Sequence, residues 1–354
     1  FRNEFNIHSE ALSIQNNLMY FNKGTDIGSI LSGKAAADES NIVFYNSPGA
    51  KEMYGSGFIL GPAYARSSRN SGWALHSAIR INSNIDQLNN PLAKFLWDGL
   101  NFEKEPNLEL SSSPYSFNML QWYELGFTYG HKLIEVKRSM VTLGGTANFN
   151  IGSNAIYIKS ESMNFNILPP DQLEINNFTG VYAHTFETDN SSLNDFTGIK
   201  GTGGSFNLGM QYYFLHKQKQ GDDKPLANNR EYRFRLGASL IDVGYISFFN
   251  ENKVYEFKND KAVFTEMDTI KFNGINDFEE YLNTKFTGSP EGAVTDKTLS
   301  MGLPAAASVQ LDVNICRNLF ANITCIKPVD FYYPQVKRPG SFSISARYQS
   351  KNFE

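Results

Sequence analysis

Apolar and polar residues alternate with period two along most of the chain, in stretches of about ten residues or more, the length at which a tilted β-strand crosses a bilayer. In the clearest stretch Trp73, Leu75, Ile79 and Ile81 share one face, and Ala74, His76, Ala78, Arg80 and Asn82 share the other. The pattern returns as Tyr123, Leu125, Phe127 and Tyr129 against Glu124, Gly126, Thr128 and Gly130. It returns again as Phe206, Leu208, Met210, Tyr212 and Phe214 against Ser205, Asn207, Gly209 and Gln211. Further copies run through residues 141–151, 232–240, 305–315 and 342–348, and weaker ones lie near 5–21, 58–64, 155–168, 178–186 and 319–326. Alternation alone counts roughly twelve strands.

A soluble antiparallel sandwich also alternates, but it buries the apolar face and shows water a surface rich in Lys and Glu. Here the polar faces carry Gly, Ser, Asn, Gln and single charges, and the apolar faces place Tyr, Phe and Trp near strand ends, as an interfacial girdle requires. The pattern therefore predicts an all-β fold, an antiparallel transmembrane β-barrel of about 12–14 strands with long external loops carrying short helices.

The connections fall into two alternating sets. One set, predicted to face outside, holds the long segments 22–55, 83–118, 188–202 and 250–296, a tight connection at Gly152-Ser153-Asn154 and a medium one at 332–339. The other is compact: 67–72, 130–138, 169–177, 216–229 and an Arg317-Asn318 hairpin turn. That turn pairs Cys316 with Leu319 and sets Cys325 opposite Gln310. Short helices are predicted at 91–100, with Leu92, Phe95 and Leu96 on one side, and at 277–286, with Asp277 as N-cap. Both are expected to fold over the barrel mouth. No linker or low-complexity run divides the chain, so residues 1–354 read as one domain.

Composition supports this picture and removes alternatives. The chain has 354 residues, 41% hydrophobic, 14% aromatic and only 19% charged, with a formal net charge of −4. No basic stripe is present to match a nucleic-acid backbone, so no nucleic-acid partner is expected. No run of eighteen apolar residues offers a membrane-spanning helix. The first residue, Phe1, follows no initiator Met or signal sequence, as in a mature exported form or an internal fragment. Cys316 and Cys325 are too few for a disulfide framework and lack metal-ligand spacing.

Candidate chemistry is sparse. No G-x-S-x-G elbow occurs, and Gly203-Gly204-Ser205 and Gly55-Ser56-Gly57 read as turn glycines at strand entries. His8, His76, His131, His184 and His216 show no metal-binding spacing. His76 reads as a polar lining residue near Arg80. The carboxylate pairs Asp222-Asp223 and Glu279-Glu280 read as solvated or capping charges, and Lys217, Lys219 and Lys224 as a solvated turn. No catalytic residue, cofactor site or metal site is expected. Arg80, Glu124, Arg233, Arg235, Asp312 and Arg347 are placed to neutralise one another in a plugged lumen. Asp268-Thr269-Ile270 has the Asp-Ser/Thr-aliphatic form of an O-glycosylation acceptor, so Thr269 is a candidate modified residue.

The run Leu303-Pro304-Ala305-Ala306-Ala307-Ser308-Val309-Gln310-Leu311-Asp312, then Asn318-Leu319-Phe320, then Pro339-Gly340-Ser341-Phe342-Ser343 to Arg347-Tyr348, resembles an uncharacterised family of outer-membrane β-barrels common in Bacteroidota. So does the stretch from Gly237 to Ile246, and Asn46-Ser47-Pro48-Gly49-Ala50 is the nearest match to the family's early segment. The resemblance implies consecutive barrel strands, location in the bacterial outer membrane and a chain truncated at its C-terminus by Glu354; it carries no catalytic residues. The expected function is a non-enzymatic barrel acting as a structural or accessory subunit of an envelope complex for protein insertion, secretion or anchoring. Its partners would be outer-membrane lipid and other outer-membrane or periplasmic subunits. The alternative is a channel or transporter for a small or hydrophobic solute.

Overall fold

The computed structural model describes residues 2–25, 41–98, 109–112, 114–136, 138–168, 172–186, 198–215, 232–250, 252–265, 275–316 and 319–348. Among them are eighteen strands and two helices. In chain order the strands are β1 (Arg2–Asn6), β2 (Ser9–Asn16), β3 (Met19–Phe21), β4 (Ile42–Phe44), β5 (Lys51–Ser67), β6 (Ser71–Leu88), β7 (Glu109–Ser112), β8 (Tyr115–Val136), β9 (Ser139–Leu168), β10 (Gln172–His184), β11 (Gly201–Leu215), β12 (Tyr232–Phe248), β13 (Lys253–Phe264), β14 (Val294–Thr295), β15 (Ser300–Gly302), β16 (Ala306–Cys316), β17 (Leu319–Pro328) and β18 (Ser341–Tyr348). Helix α1 spans Asn90–Asp98 and α2 spans Ile275–Thr287.

Sixteen strands share one antiparallel sheet, whose main path is β1-β5-β6-β8-β9-β11-β12-β16-β17-β18, with β2 extending β1 along β5. The strands run alternately up and down in this order, so the wall is a meander. It does not close on itself: β1/β2 and β18 are its two edges. The fold is thus all-β and antiparallel as the alternation predicts, and no helix among the described residues is long and apolar enough to cross a membrane.

The alternation is inverted relative to a soluble protein. Leu75, Leu125, Leu208 and Val309 stand 51–55% exposed on the outer face. Glu124, Asn148, Asn150, Ser205, Asp242 and Asp312 are buried on the inner face of the same strands or their neighbours. A soluble sandwich would do the reverse, since apolar burial is its main source of stability.

One end of the wall carries the closely spaced strand pairs β5/β6, β8/β9 and β16/β17, together with the end of β11 and the start of β12; the other carries the long insertions. There β9, β10 and β13 extend past the wall as a smaller antiparallel tier. Helix α1 buries Leu92, Ala93 and Phe95 in a cluster with Phe165, Leu173 and Phe264, and Tyr281, Leu282 and Phe286 of α2 pack on the same cluster. Both predicted helices therefore fold over the insertion end, although α2 begins two residues earlier than expected and Asp277 lies in its first turn rather than at its N-cap.

Two connections differ from expectation. The turn expected at Gly152-Ser153-Asn154 is absent, because β9 is a single strand of 30 residues. Gly152 lies against Ile246 and Phe248, where an added Cβ would approach to 2.7 Å, and Ser153 and Asn154 are fully buried. The glycine permits close packing instead of a reversal. In consequence the β9–β10 connection, expected in the compact set, lies at the insertion end. Gly203-Gly204-Ser205 and Gly55-Ser56-Gly57 likewise lie inside β11 and β5. At Gly203 a Cβ would meet the Tyr245 carbonyl at 2.0 Å.

Cys316 pairs with Leu319 as expected, but Cys325 faces Val309, not Gln310, because a bulge between Asn314 and Cys316 shifts the register by one. Both cysteines are free and exposed. Seven residues of strand, about 24 Å at ~3.4 Å per residue, separate Cys316 from the position opposite Cys325, well beyond the ~7 Å reach of a disulfide. A non-reducing peptide map is expected to contain both thiols free. Gly152→Leu is expected to destabilise the chain by about 1–3 kcal/mol through overpacking against Ile246 and Phe248. Denaturant unfolding in detergent measures this, with Gly130→Ala, where the nearest atom to an added Cβ is 3.8 Å away, as the mild control.

Candidate functional site

Hydrogen-bond register brings the inner-face charges together. On β6, His76 and Arg80 lie on one face, four residues apart; on β8, Glu124 sits opposite Ala78, between them. The third strand contributes through a distortion. Between Phe206 and Leu208 the β11–β12 register shifts, so that Ile241 and Asp242 together oppose Asn207. Asp242 takes φ 55°, in the left-handed region, and its N–H donates to Asn207 Oδ1 at 2.6 Å. This bulge turns the carboxylate inward.

Arg80 then donates both guanidinium NH₂ groups to Asp242, at 2.8 and 2.7 Å, and one of them also to Glu124 at 3.1 Å. Its guanidinium lies 4.8 Å from the Trp122 ring centroid. Glu124 further contacts His76 Nε2 at 3.2 Å and accepts from Trp122 Nε1 at 3.4 Å. Arg338, from the segment between β17 and β18, pairs with the same Asp242 carboxylate and donates Nε–H to the Pro304 carbonyl at 2.7 Å. Two guanidinium charges and two carboxylates thus balance. A second group lies nearer the short-turn end, where Asp312 accepts from Arg235 at 3.0 Å, Tyr232 at 3.0 Å and Arg347 at 3.4 Å.

Residues 329–340 form a strap across the inner face. The N–H groups of Phe331 and Tyr332 both donate to Gln335 Oε1, closing a compact turn. Gly302 and Gln335 form a parallel bridge, and fully buried Val336 joins Trp122, Ile246, Met301 and Leu303 in an apolar core. On the far side, Lys337 N–H donates to Asn84 Oδ1 at 2.9 Å and its ammonium pairs with Asp86 at 2.8 Å. Tyr157 on β9 donates to the Tyr333 hydroxyl at 2.6 Å. The strap therefore bridges β15, β6, β9 and, through Arg338, β12.

In the upper tier Glu279 of α2 is buried, which corrects its reading as a solvated charge; its neighbour Glu280 is exposed. The Glu279 carboxylate abuts His184 Nε2, accepts from Tyr255 at 2.6 Å and pairs with Lys253 at 3.2 Å. His184 Nδ1 accepts from the Phe186 N–H at 3.0 Å, which leaves Nε2–H directed at Glu279. Burial pushes the Glu279 carboxyl up, but His184, Tyr255 and Lys253 together hold it below the ordinary carboxylate range. Burial, and then Glu279, raises the Tyr255 hydroxyl.

Of the sequence-predicted charges, Arg80 and Glu124 meet in one cluster and Arg235, Asp312 and Arg347 in the other, while Arg233 is exposed and joins neither. His76 lines the interior beside Arg80 as read. Asp242 and Arg338 were missed. Asp242 had a visible signal, a carboxylate in an otherwise apolar strand stretch, but its direction depends on the bulge. Thr269 and the Lys217, Lys219, Lys224 and Asp222-Asp223 turn lie outside the described residues. Among the described residues no group of three or more His, Cys, Asp or Glu is placed to hold a metal.

One family model matches nearly the whole sequence. The chain belongs to the family of unknown function DUF5723. The family model matches residues 6–354, so it covers the wall, the upper tier and the strap of this DUF5723 chain. No curated protein matches the chain.

Two outcomes follow. Asp242→Ala leaves Arg80 and Arg338 without their shared carboxylate and is expected to cost about 3–5 kcal/mol in denaturant unfolding, as for a broken buried pair. It should also speed proteolysis within the strap. Because the Glu279 carboxyl is held below its unfolded value, its contribution is fully present above the ordinary carboxylate pKa and is lost as pH falls through the folded value. Protease cleavage of α2 is therefore expected to rise on acidification in the wild type and to show a flatter pH profile in Glu279→Gln.

Proposed function

We propose that the chain forms the wall of a bacterial outer-membrane β-barrel that performs no catalysis and serves as a structural or accessory subunit of an envelope complex, in protein insertion, secretion or anchoring. Its partners in this reading are outer-membrane lipid and other outer-membrane or periplasmic subunits. Support for the membrane comes from the inverted alternation and from two aromatic bands on the outer face. Tyr64 packs on Trp73, and Tyr212 and Phe214 on Phe234, near the short-turn end; Tyr245 stands exposed towards the other. Eleven residues of β12 separate Phe234 from Tyr245; at about 3.4 Å each and a tilt near 45° they span roughly 26 Å, the height of an outer-membrane apolar band. Closure would pair the edges of β1/β2 and β18, whose backbone groups cannot face hydrocarbon unpaired.

The observation that carries the subunit reading is the strap, with Arg338 on Asp242 and Val336 in the apolar core. Around Asp242 and Asp312 opposite charges are paired at short range, so among the described residues these two clusters present no ring of one sign to select an ion. In planar bilayers the purified protein is expected to give no steady conductance, and mild-detergent extraction from its native membrane is expected to yield it with other subunits. A steady conductance with the strap intact would favour the channel reading instead.

Topology and lipid contact are separately testable. An impermeant maleimide should label Ser289→Cys on intact cells, whereas Asn70→Cys should need permeabilisation; the reverse pattern overturns the orientation. Leu75→Arg, Leu125→Arg or Leu208→Arg should impair assembly by about 2–4 kcal/mol near the midplane, and Thr128→Arg on the inner face by less. Equal damage on both faces would contradict a lipid-facing outer surface.

A further inference from the structure

Below the Asp242 cluster one register row of the inner face carries only glycine and serine. Gly72, Gly130, Gly144, Gly209, Ser239 and Ser308 are consecutive partners across β6, β8, β9, β11, β12 and β16, in one unbroken row of register. Packing does not demand these glycines. A Cβ added at Gly72, Gly130, Gly144 or Gly209 would meet nothing closer than 3.4–3.8 Å, ordinary van der Waals contact, and none of the four takes positive φ. The row borders a hollow of about 570 Å³ that Thr128, Thr146, Asn207 and Gln310 also line. That volume falls in the range of small-molecule pockets, roughly 300–1,000 Å³. Its inner end is closed by the bulge, since Asn207 lines the hollow and holds the Asp242 N–H. Its mouth lies at the β5–β6 and β8–β9 turns.

Among the described residues the charged groups at the mouth are of one sign: Arg69 and Lys132 line the hollow beside His131, and no described Asp or Glu does. Lys132 is paired with Glu135 at 2.8 Å, outside the lining, while Arg69 is exposed and makes no ion pair among the described residues. Deeper in, hydroxyl and amide groups supply donors and acceptors without net charge.

The geometry points to this hollow as a binding pocket, entered from the short-turn end, for a small polar molecule with one carboxylate: the carboxylate meets Arg69 and the uncharged body lies along the glycine–serine row. A free sugar acid and the C-terminus of a short peptide share this chemistry. The pocket rests on the barrel reading only for the side of the membrane from which it opens.

The test uses the full chain in detergent with Cys316→Ser and Cys325→Ser, and a single thiol placed by Ser239→Cys. Anionic and cationic methanethiosulfonates are compared after normalising each to its rate with free cysteine. The anionic reagent is expected to be favoured about tenfold, as in a cleft lined by one sign of charge, and Arg69→Gln should remove the preference. Millimolar glucuronate or N-acetyl-trialanine should then slow labelling severalfold in the protein with Arg69 intact, and which of them does so identifies the source. An inert thiol, an equal or reversed charge preference, or labelling that neither compound slows would each overturn the pocket. The membrane reading stands or falls separately on the cell-labelling experiment.

Discussion

The arrangement of the interior depends on one buried carboxylate. Asp242 is 3% exposed, and its carboxylate is tolerable there because two guanidinium groups pair with it, Arg80 from β6 and Arg338 from the strap, while Asn207 from β11 accepts its backbone N–H. Removing an ion from water costs several kcal/mol, and only several charge-assisted hydrogen bonds in good geometry offset it. Those bonds tie strands that are not neighbours in the sheet. β6 and β12 are separated along it by β8, β9 and β11, yet meet at Asp242, so the ion pair fixes the curvature of the wall as well as the position of the strap.

Above this point the interior is apolar and below it open. Trp122 serves both regions: its ring faces the Arg80 guanidinium while its body joins the core of Ile246, Phe248, Met301 and Val336. The upper tier continues the same logic outside the wall. Glu279, His184, Tyr255 and Lys253 hold α2 on β10 and β13 through a paired, buried charge, and the aromatic cluster around Phe178, Phe257 and Phe286 supplies the apolar contact. Each tier is a polar anchor beside an apolar core. The hollow near the short turns has neither, which sets it apart as the region with room for something else.

Much of this was legible in the chain itself. Period-two alternation determined that the protein is all-β, which residues point outward and where most long strands run, because side-chain direction in a strand depends only on position parity. The short helices were readable from their apolar spacing, and parity put Arg80, Glu124, Arg235, Asp312 and Arg347 on the inner face, while their sorting into two clusters came from cross-strand register. Only the tertiary structure decided what parity cannot encode. Whether Gly152 turns the chain or lets Phe248 approach depends on a strand nearly a hundred residues away. Cys325 faces Val309 because a bulge inserts one residue, and Asp242 points inward for the same kind of reason. Glu279 looked solvated because its partners His184, Tyr255 and Lys253 come from other strands. Local pattern specifies faces and periods; bulges, buried charge and cross-strand register arise from pairing between distant segments, and that pairing exists only in the folded sheet.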